Sequence, residues 1–236
     1  MKFRHIFVAA AFLLLPACAS LKTGSQTSAA GVPSAYALHD VHAELFAREG
    51  RQVLQVELTD DEQARQLAGA GGNRPTYVLF DDALENGTIE VSIAAELNGK
   101  SGPDARGFAG LMFHHAATDG SYEAVYLRMT NGTLNDPGPP APRNVRAIQY
   151  IAHPDFHFPV SRELFPGKYE SAAPVKAGAT HKLRLDINGS RLSAFVDGQL
   201  VLSFDDLKLA NRNGGFGLWI GDGTRAYFSD LKVIRR

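Results

Sequence analysis

Two phenols and a guanidinium recur at even spacing in one short segment of the chain. Tyr122, Tyr126 and Arg128 fall within the segment 122–131, whose alternating pattern predicts a β-strand. Alternate side chains share one face of a strand, so these three groups would lie in a row. An aromatic ring complements the apolar face of a sugar ring, and a guanidinium donates paired hydrogen bonds to hydroxyls or a carboxylate. The segment therefore predicts the floor of a binding groove.

The other face of this segment is mostly apolar and suits a hydrophobic core. Val125, Leu127 and Met129 alternate with the polar set, and Glu123 falls on their side of the strand. An acid or base for catalysis would therefore have to come from elsewhere, chiefly from the loops. Glu123, Asp155 and Glu163 are the candidates for that role.

Two residues of the predicted groove, one cationic and one aromatic, each have an alternative structural role. Arg128 is either a ligand group or a structural arginine paired with a nearby carboxylate such as Glu123 or Asp155. Trp219, the single tryptophan of the chain, either stacks on a sugar ring or packs beneath a loop. The sequence leaves both choices open.

The elements that would position these groups are almost all strands separated by turn signals, which predicts an all-β sandwich of two antiparallel sheets. One short helix is expected after the capping residue Thr59, with Glu62 at the capping-box position. Two long loops, 131–144 with four prolines and the aromatic stretch 153–169, interrupt the strands. The predicted strands are 41–47, 51–58, 77–80, 88–96, 108–115, 122–131, 145–152, 181–187, 191–197, 200–204, 214–221 and 226–234.

The N-terminus has the pattern of a bacterial lipoprotein signal. Lys2 and Arg4 precede an apolar run that ends in Leu-Pro-Ala-Cys18, so residues 1–17 are expected to be a signal peptide and Cys18 a lipidated residue. Residues 18–33 would form a flexible tether, and 34–236 a single domain with its core at 76–236. The mature chain would be anchored in the cell envelope, on the periplasmic face or at the outer membrane.

Net charge argues against a nucleic-acid partner. The whole chain carries a formal charge of −1, and removal of residues 1–17 takes away Lys2 and Arg4 but no acidic residue, which gives −3. A nucleic-acid-binding domain of this size is typically basic. The expected partners are therefore a carbohydrate and, through the lipid anchor alone, a membrane.

Several strand motifs recur in a fixed order along the chain: Gly87-Thr-Ile-Glu-Val, Gly107-Phe-Ala-Gly-Leu-Met-Phe, Tyr122-Glu-Ala-Val-Tyr-Leu-Arg, Leu183-Arg-Leu-Asp-Ile, Ala194-Phe-Val-Asp-Gly-Gln199, Gly214-Gly-Phe-Gly-Leu-Trp219 and Phe228-Ser-Asp-Leu-Lys-Val. This order resembles the concanavalin A-like lectin and glucanase superfamily, and within it the laminin G-like and 3-keto-disaccharide hydrolase-like bacterial domains. The resemblance implies a jelly roll that binds its ligand across the concave sheet.

The ligand would then lie on the strand face of Tyr122, Tyr126 and Arg128. Alternation along the predicted strand 145–152 brings Gln149 and His153 beside that face. Asn131 and Trp219 complete the predicted groove.

Catalytic and metal-binding patterns of that superfamily are not found. Glucanases carry paired carboxylates on one strand, whereas Glu90-Val-Ser92 has serine in place of the aspartate. His114 and His115 point to opposite faces, and His153 and His157 lack a second ligand cluster, so no metal site is assigned. No cofactor is expected, and calcium alone is left open without an assigned site. Its candidate ligands would be the loop residues Asp119, Asn131, Asn135, Asp136 and Asp222.

The sequence is compatible with three functions. The leading hypothesis is a carbohydrate-binding domain without catalysis, which the aromatic polar face favours. The second is a glycoside hydrolase acting on an oligosaccharide or a 3-keto-glycoside, with its acid and base supplied by loops. The third is an envelope interaction module with no small ligand.

Overall fold

Two antiparallel sheets of seven strands each form a sandwich in the described part of the chain. The structure is a computed structural model, and it describes residues 31–48, 50–69 and 74–236. The predicted signal peptide, Cys18 and residues 18–30 of the tether lie outside the described residues. The all-β jelly-roll prediction is confirmed.

The first sheet carries the segment from which the groove was predicted, and strand β6 lies at its centre as the apolar sequence of that strand indicates. Strands are numbered in chain order. In spatial order this sheet contains β1 (Tyr36–His39), β4 (Tyr77–Leu84), β13 (Gly214–Ile220), β6 (Phe108–His115), β7 (Tyr122–Arg128), β8 (Ile148–His153) and β9 (Glu170–Ser171).

The second sheet covers the inner face of the first. The predicted N-terminal hairpin is confirmed and forms one edge of this sheet, where Val41 pairs with Leu58 and Arg48 with Arg51. In spatial order the strands are β12 (Gln199–Phe204), β11 (Arg191–Val196), β10 (Thr180–Asn188), β5 (Gly87–Leu97), β14 (Thr224–Arg235), β3 (Arg51–Leu58) and β2 (Val41–Arg48).

The two faces of β7 have the contrast that its alternation predicts. Val125 and Leu127 are fully buried in the core between the sheets, and Met129 follows them there. Tyr122 and Tyr126 belong to a second, smaller apolar cluster on the outer face of the first sheet. The outer face of this sheet is therefore covered at its centre by aromatic rings, and this is where the site lies.

Two short helices flank the sandwich in the described residues, whereas the sequence predicted one. The predicted helix is α1 (Asp60–Leu67), and the Thr59 hydroxyl accepts a hydrogen bond of 3.2 Å from the Glu62 amide, as its capping pattern indicates. The second helix, α2 (Phe158–Leu164), was predicted as irregular loop. Proline in the first turn starts this helix, because proline needs no amide partner there.

The two strand boundaries that flank the proline-rich loop differ from the prediction. β7 ends at Arg128, because Met129–Asn131 turns as a 3₁₀-helix. β8 begins at Ile148 instead of residue 145, after a second 3₁₀ turn at Arg143–Val145. Both turns belong to the proline-rich loop and carry side chains to the rim of the site. In the described ranges, neither helix is long and apolar enough to cross a bilayer.

Candidate functional site

A cavity of about 520 Å³ opens over the outer face of the first sheet. Strands β6, β7, β8 and β13 supply its floor, while helix α2 and the loops after β5, β7 and β13 supply most of its rim. Such a volume is usual for a small-molecule site, typically about 300–1,000 Å³. The lining residues are Gln66, Arg74, Thr76, Asp104, Arg106, Phe108, Tyr122, Tyr126, Arg128, Asn131, Arg143, Arg146, Ile151, His157, Phe158, Arg162, Trp219, Gly221 and Asp222.

The floor of the cavity is a fixed pair of aromatic rings. Trp219 stacks on Tyr126 with ring centroids 4.4 Å apart and an interplanar angle of 25°. The indole Nε1–H of Trp219 donates a hydrogen bond of 3.2 Å to the Tyr122 hydroxyl. Burial raises the pKa of Tyr122, which keeps its hydroxyl neutral. The indole is therefore oriented by contacts at both its face and its edge.

A glycine between the two strands leaves the space in which these rings stack. Trp219 lies on β13 and Tyr126 on β7, with β6 between them, and both are registered opposite Gly110. Gly110 has no side chain to separate the rings. A Cβ atom at this position would also lie 2.2 Å from the Val125 carbonyl oxygen, so the backbone geometry itself requires glycine.

Arg128 is held in the wall of the cavity by a full set of partners. Its Nη2 donates to the Tyr126 hydroxyl at 3.2 Å and to Gln149 Oε1 at 3.1 Å. Its carboxylate partner is Glu170, at 3.3 Å from Nη1, which corrects the expected pairing with Glu123 or Asp155. Arg128 is only 5% exposed. It therefore orients the Tyr126 hydroxyl more than it presents free donors to a ligand.

Glu170 is the shared counter-ion of three arginines. Arg162 Nη2 and Arg146 Nε lie 2.7 Å and 3.1 Å from its carboxylate, in addition to Arg128. Burial acts to raise the pKa of Glu170, but the hydrogen bonds and charges of these arginines prevail and lower it. The carboxylate stays ionised, and one negative charge organises three positive ones.

Asn131 positions a further arginine on the rim. Its side-chain Nδ2 donates to the Arg146 carbonyl at 3.0 Å, while its Oδ1 accepts from Arg143 Nε at 2.9 Å. Arg143 Nη2 also donates to the Thr130 hydroxyl and carbonyl, at 3.3 Å and 3.4 Å. The buried asparagine thus orients Arg143, and the half-buried guanidinium of that arginine faces the cavity.

Two residues predicted for the groove lie behind its wall instead. The register of β7 and β8 places Gln149 opposite Tyr126 and His153 opposite Tyr122. Gln149 is fully buried and donates to the Tyr150 and Tyr169 carbonyls, so its amide supports Arg128 from behind. His153 stacks on Tyr122 with centroids 5.0 Å apart. Neither lines the cavity, whereas Tyr122, Tyr126, Arg128, Asn131 and Trp219 do.

His157 replaces His153 on the cavity side. The two rings meet at 3.3 Å between His153 Nδ1 and His157 Nε2. Burial, and then the neighbouring His153, lower the pKa of His157 to about 4. At neutral pH this imidazole is uncharged and presents an aromatic, polar edge to the cavity.

Glu123 is part of a closed polar cluster between the two sheets. It is fully buried and lies 2.6 Å from His114 Nδ1 through Oε2, while Oε1 accepts from the Tyr150 hydroxyl and from the Lys208 amide at 2.8 Å. The Leu209 amide donates to the same oxygen at 3.1 Å. These contacts satisfy the carboxylate inside the core, so Glu123 is a structural residue and not an acid or base of the groove.

The other candidate carboxylates also lie away from the wall. Asp155 and Glu163 are exposed and do not line the cavity. Glu90 is on the second sheet, where it pairs with Lys182 at 3.2 Å. Within the described residues, the carboxylates on the wall are Asp104 and Asp222. The same part of the chain has no group of three or more His, Cys, Asp or Glu side chains arranged to hold a metal ion.

Sequence reasoning missed most of the cationic rim. Arg106, Arg143, Arg146 and Arg162 come from two loops and the helix α2, none of which has a periodic pattern that predicts direction. The available signal was the location of three of them in, or just after, long loops that follow the groove strands. Ordered long loops of this kind are often functional.

Comparison with known proteins supports the fold. No family model and no curated protein matches the chain. A Bacillus subtilis protein of unknown function with a galectin-like fold matches 85% of this chain and 90% of its own, with a TM-score of 0.50 and 12% identity.

Two further solved structures are similar over most of their length. The carbohydrate-binding module CBM66 from Bacillus subtilis has a TM-score of 0.49 and 13% identity, over 82% of this chain and 94% of its own. A Bacillus licheniformis β-glucanase has a TM-score of 0.45 and 13% identity, over 81% and 82%. The galectin-like match, at the higher TM-score, shows a shared fold and agrees with the predicted jelly roll.

Proposed function

We propose that this protein binds a carbohydrate in the cavity over the first sheet. The observation that carries the proposal is the stack of Trp219 on Tyr126 within a cavity rimmed by hydrogen-bond donors. A sugar ring has an apolar C–H face and a rim of hydroxyls, so it needs an aromatic platform and polar groups around it. Both are present within one cavity.

The rigidity of this platform favours affinity. Tyr122 fixes the edge of the indole, and Arg128 fixes the hydroxyl of Tyr126. A ligand that binds to a preorganised surface does not have to order these side chains, which otherwise costs about 0.5–1.5 kcal/mol for each immobilised side chain.

Titration calorimetry against a panel of neutral and charged oligosaccharides would test the proposal. We expect saturable binding that Trp219→Ala weakens at least about ten-fold, since loss of an aromatic stacking partner costs roughly 1–3 kcal/mol. Phe195→Ala is the matched control, because Phe195 is a half-buried ring on strand β11 of the other sheet. Unchanged affinity in Trp219→Ala would contradict this location.

The same panel distinguishes binding from turnover. Each oligosaccharide is incubated with the protein and assayed for newly released reducing ends. Pure binding predicts none. Release that is lost in Asp104→Asn or Asp222→Asn would identify a glycoside hydrolase that uses the carboxylates on the wall.

We also propose that the protein is a cell-envelope lipoprotein anchored through Cys18. The support is the sequence pattern of residues 1–18, with a basic start, an apolar run and a cysteine at the expected cleavage point. Globomycin should cause the precursor to accumulate, and Cys18→Ala should abolish lipidation. Normal cleavage of the wild-type precursor in the presence of the drug would refute the anchor.

A further inference from the structure

The rim of the cavity is unusually rich in positive charge. Within the described residues, six arginines line it, against the two carboxylates of Asp104 and Asp222. This contrasts with the chain as a whole, whose formal charge is −1. The excess is therefore local. The six arginines are Arg74, Arg106, Arg128, Arg143, Arg146 and Arg162.

Arg74 is set apart from the others because its charge is already neutralised. It pairs with Glu62 at 3.0 Å and with Asp40 at 3.1 Å, on the side of the cavity near helix α1. Of the other five arginines, four have a carboxylate partner within 4 Å in the described ranges: Asp104 pairs with one of them and Glu170 with three. Five guanidinium groups against two carboxylates leave a formal charge of +3 at this end of the cavity.

Among the described residues, Arg143 is the one arginine of this group whose charge has no carboxylate partner. It has no carboxylate within 4 Å in the described part of the chain, and its Nη1 makes no hydrogen bond to those residues. Its Nε and Nη2 are held by Asn131 and Thr130. The side chain is thus oriented from one side and free at the other, which suits a ligand-binding arginine.

Arg106 shows the electrostatic consequence of this crowding. Its one carboxylate partner in the described residues, Asp104 at 3.5 Å, has a side chain that is 99% exposed and is therefore well screened by water. Burial, and then the charge of Arg143, lower the pKa of Arg106. An anion bound among these arginines would offset the mutual repulsion.

The aromatic floor and the cationic rim meet in the same cavity. Tyr126 accepts from Arg128 and also carries the stacked Trp219. Phe158 lies under the guanidinium of Arg162, with the Cζ atom 4.7 Å from its ring centroid. A ligand that covers the rings would therefore place its substituents against the arginines.

We infer that the ligand is an anionic oligosaccharide, with a carboxylate or sulfate group bound by Arg143 and its neighbouring arginines. This inference rests on the proposed carbohydrate-binding function and specifies its ligand class. Carboxylate and sulfate both present oxygens that match the planar donor fork of a guanidinium.

Three matched probes test the inference. They are a galacturonate tetrasaccharide, the same tetrasaccharide reduced at its carboxyl groups to a neutral form, and a sulfated derivative of the reduced form. We expect at least one anionic probe to bind about ten-fold more tightly than the neutral one in low salt, as charge-assisted hydrogen bonds predict. The two anionic probes identify which oxyanion is preferred. The preference should shrink as salt is raised.

Arg143→Gln should reduce the anionic preference to about three-fold or less, because it removes the charge but keeps side-chain donors. Arg106→Gln serves as a second variant for the same cluster. Arg191→Gln is the matched control, since Arg191 is exposed on strand β11 of the opposite sheet and should leave all affinities unchanged.

The outcomes separate this inference from the proposed function. Equal affinity for the anionic and neutral probes overturns the anionic ligand class and leaves carbohydrate binding intact. A preference that survives in both Arg143→Gln and Arg106→Gln overturns its assignment to these arginines. Failure of the wild-type protein to bind any of the three probes, together with binding to a neutral member of the oligosaccharide panel, overturns the anionic ligand class alone; failure to bind the whole panel overturns both proposals.

Discussion

The indole of Trp219 reaches across a whole strand to stack on Tyr126, because Gly110 lies between them without a side chain. Two aromatic residues on strands that are not hydrogen-bonded neighbours therefore act as one surface. The relationship depends on the glycine for space, and the surrounding backbone leaves little room for anything larger.

Gly110→Ala should damage both the fold and the platform. The new Cβ would lie 2.2 Å from the Val125 carbonyl oxygen, so β6 and β7 must separate. We expect a loss of about 1–3 kcal/mol or more in the free energy of unfolding, measured by urea denaturation. Gly138→Ala is the control, because a Cβ there has its nearest atom at 3.9 Å. Equal stability of the two variants would refute the claim that a Cβ atom at position 110 clashes with β7.

Glu170→Gln should destabilise the protein through its three arginines. The change leaves Arg128, Arg146 and Arg162 without their common negative charge. Breaking a buried ion pair costs about 3–5 kcal/mol, and we expect about 2–4 kcal/mol because two of the partners are partly exposed. Urea denaturation at neutral pH measures the change. Glu163→Gln, an exposed neighbour on α2, should change stability by less than about 0.5 kcal/mol.

Glu123→Ala should destabilise the core and leave the ligand affinity of the folded protein unchanged. It removes the acceptor of His114, the Tyr150 hydroxyl and two backbone amides, and the expected cost is about 3–5 kcal/mol. Glu123→Gln should recover much of this loss, because its amide oxygen can still accept from the two backbone amides. A loss of affinity in folded Glu123→Gln, measured by calorimetry, would instead place Glu123 in the function of the groove.

Acidic pH should lower the free energy of unfolding, and part of this loss should come from His157. The pKa of this residue is lowered from 6.5 to about 4 in the folded state, by burial and by His153. Above pH 6.5 both states are neutral and the contribution is complete. As pH falls from 6.5 towards 4, His157 binds a proton in the unfolded state but not in the folded state. The free energy of unfolding therefore falls by up to about 3 kcal/mol.

The pH experiment compares urea denaturation at pH 7 and pH 4.5. His157→Gln should lose less stability between these two pH values than the wild type. His42→Gln, a change at an exposed histidine on strand β2, should behave like the wild type. An unaltered pH response in His157→Gln would show that other groups account for the acid sensitivity.

The sequence was informative wherever local periodicity decides direction. The two-residue alternation of β7 correctly separated Tyr122 and Tyr126 from Val125 and Leu127, since a strand alternates its faces. The same rule correctly turned Glu123 away from the groove. Turn signals likewise located the hairpin of β2 and β3.

Other features depend on contacts between distant segments and leave no local pattern. The meeting of Arg128, Arg146 and Arg162 at Glu170 is decided by how two loops and α2 fold over the sheet. The role of Gly110 requires the register of three strands at once. Gln149 lies on the predicted face, but α2 and its flanking chain cover it, with Tyr169 and Ser161 both within 3.5 Å of its amide.

The chain contains a single tryptophan, and that residue forms the floor of the cavity. All indole emission from the protein therefore originates at the site, beside Tyr126 and the Tyr122 hydroxyl. Ligand titrations and local opening of the first sheet can be followed by intrinsic fluorescence without a label. The loops and strands elsewhere contribute no indole background to that signal.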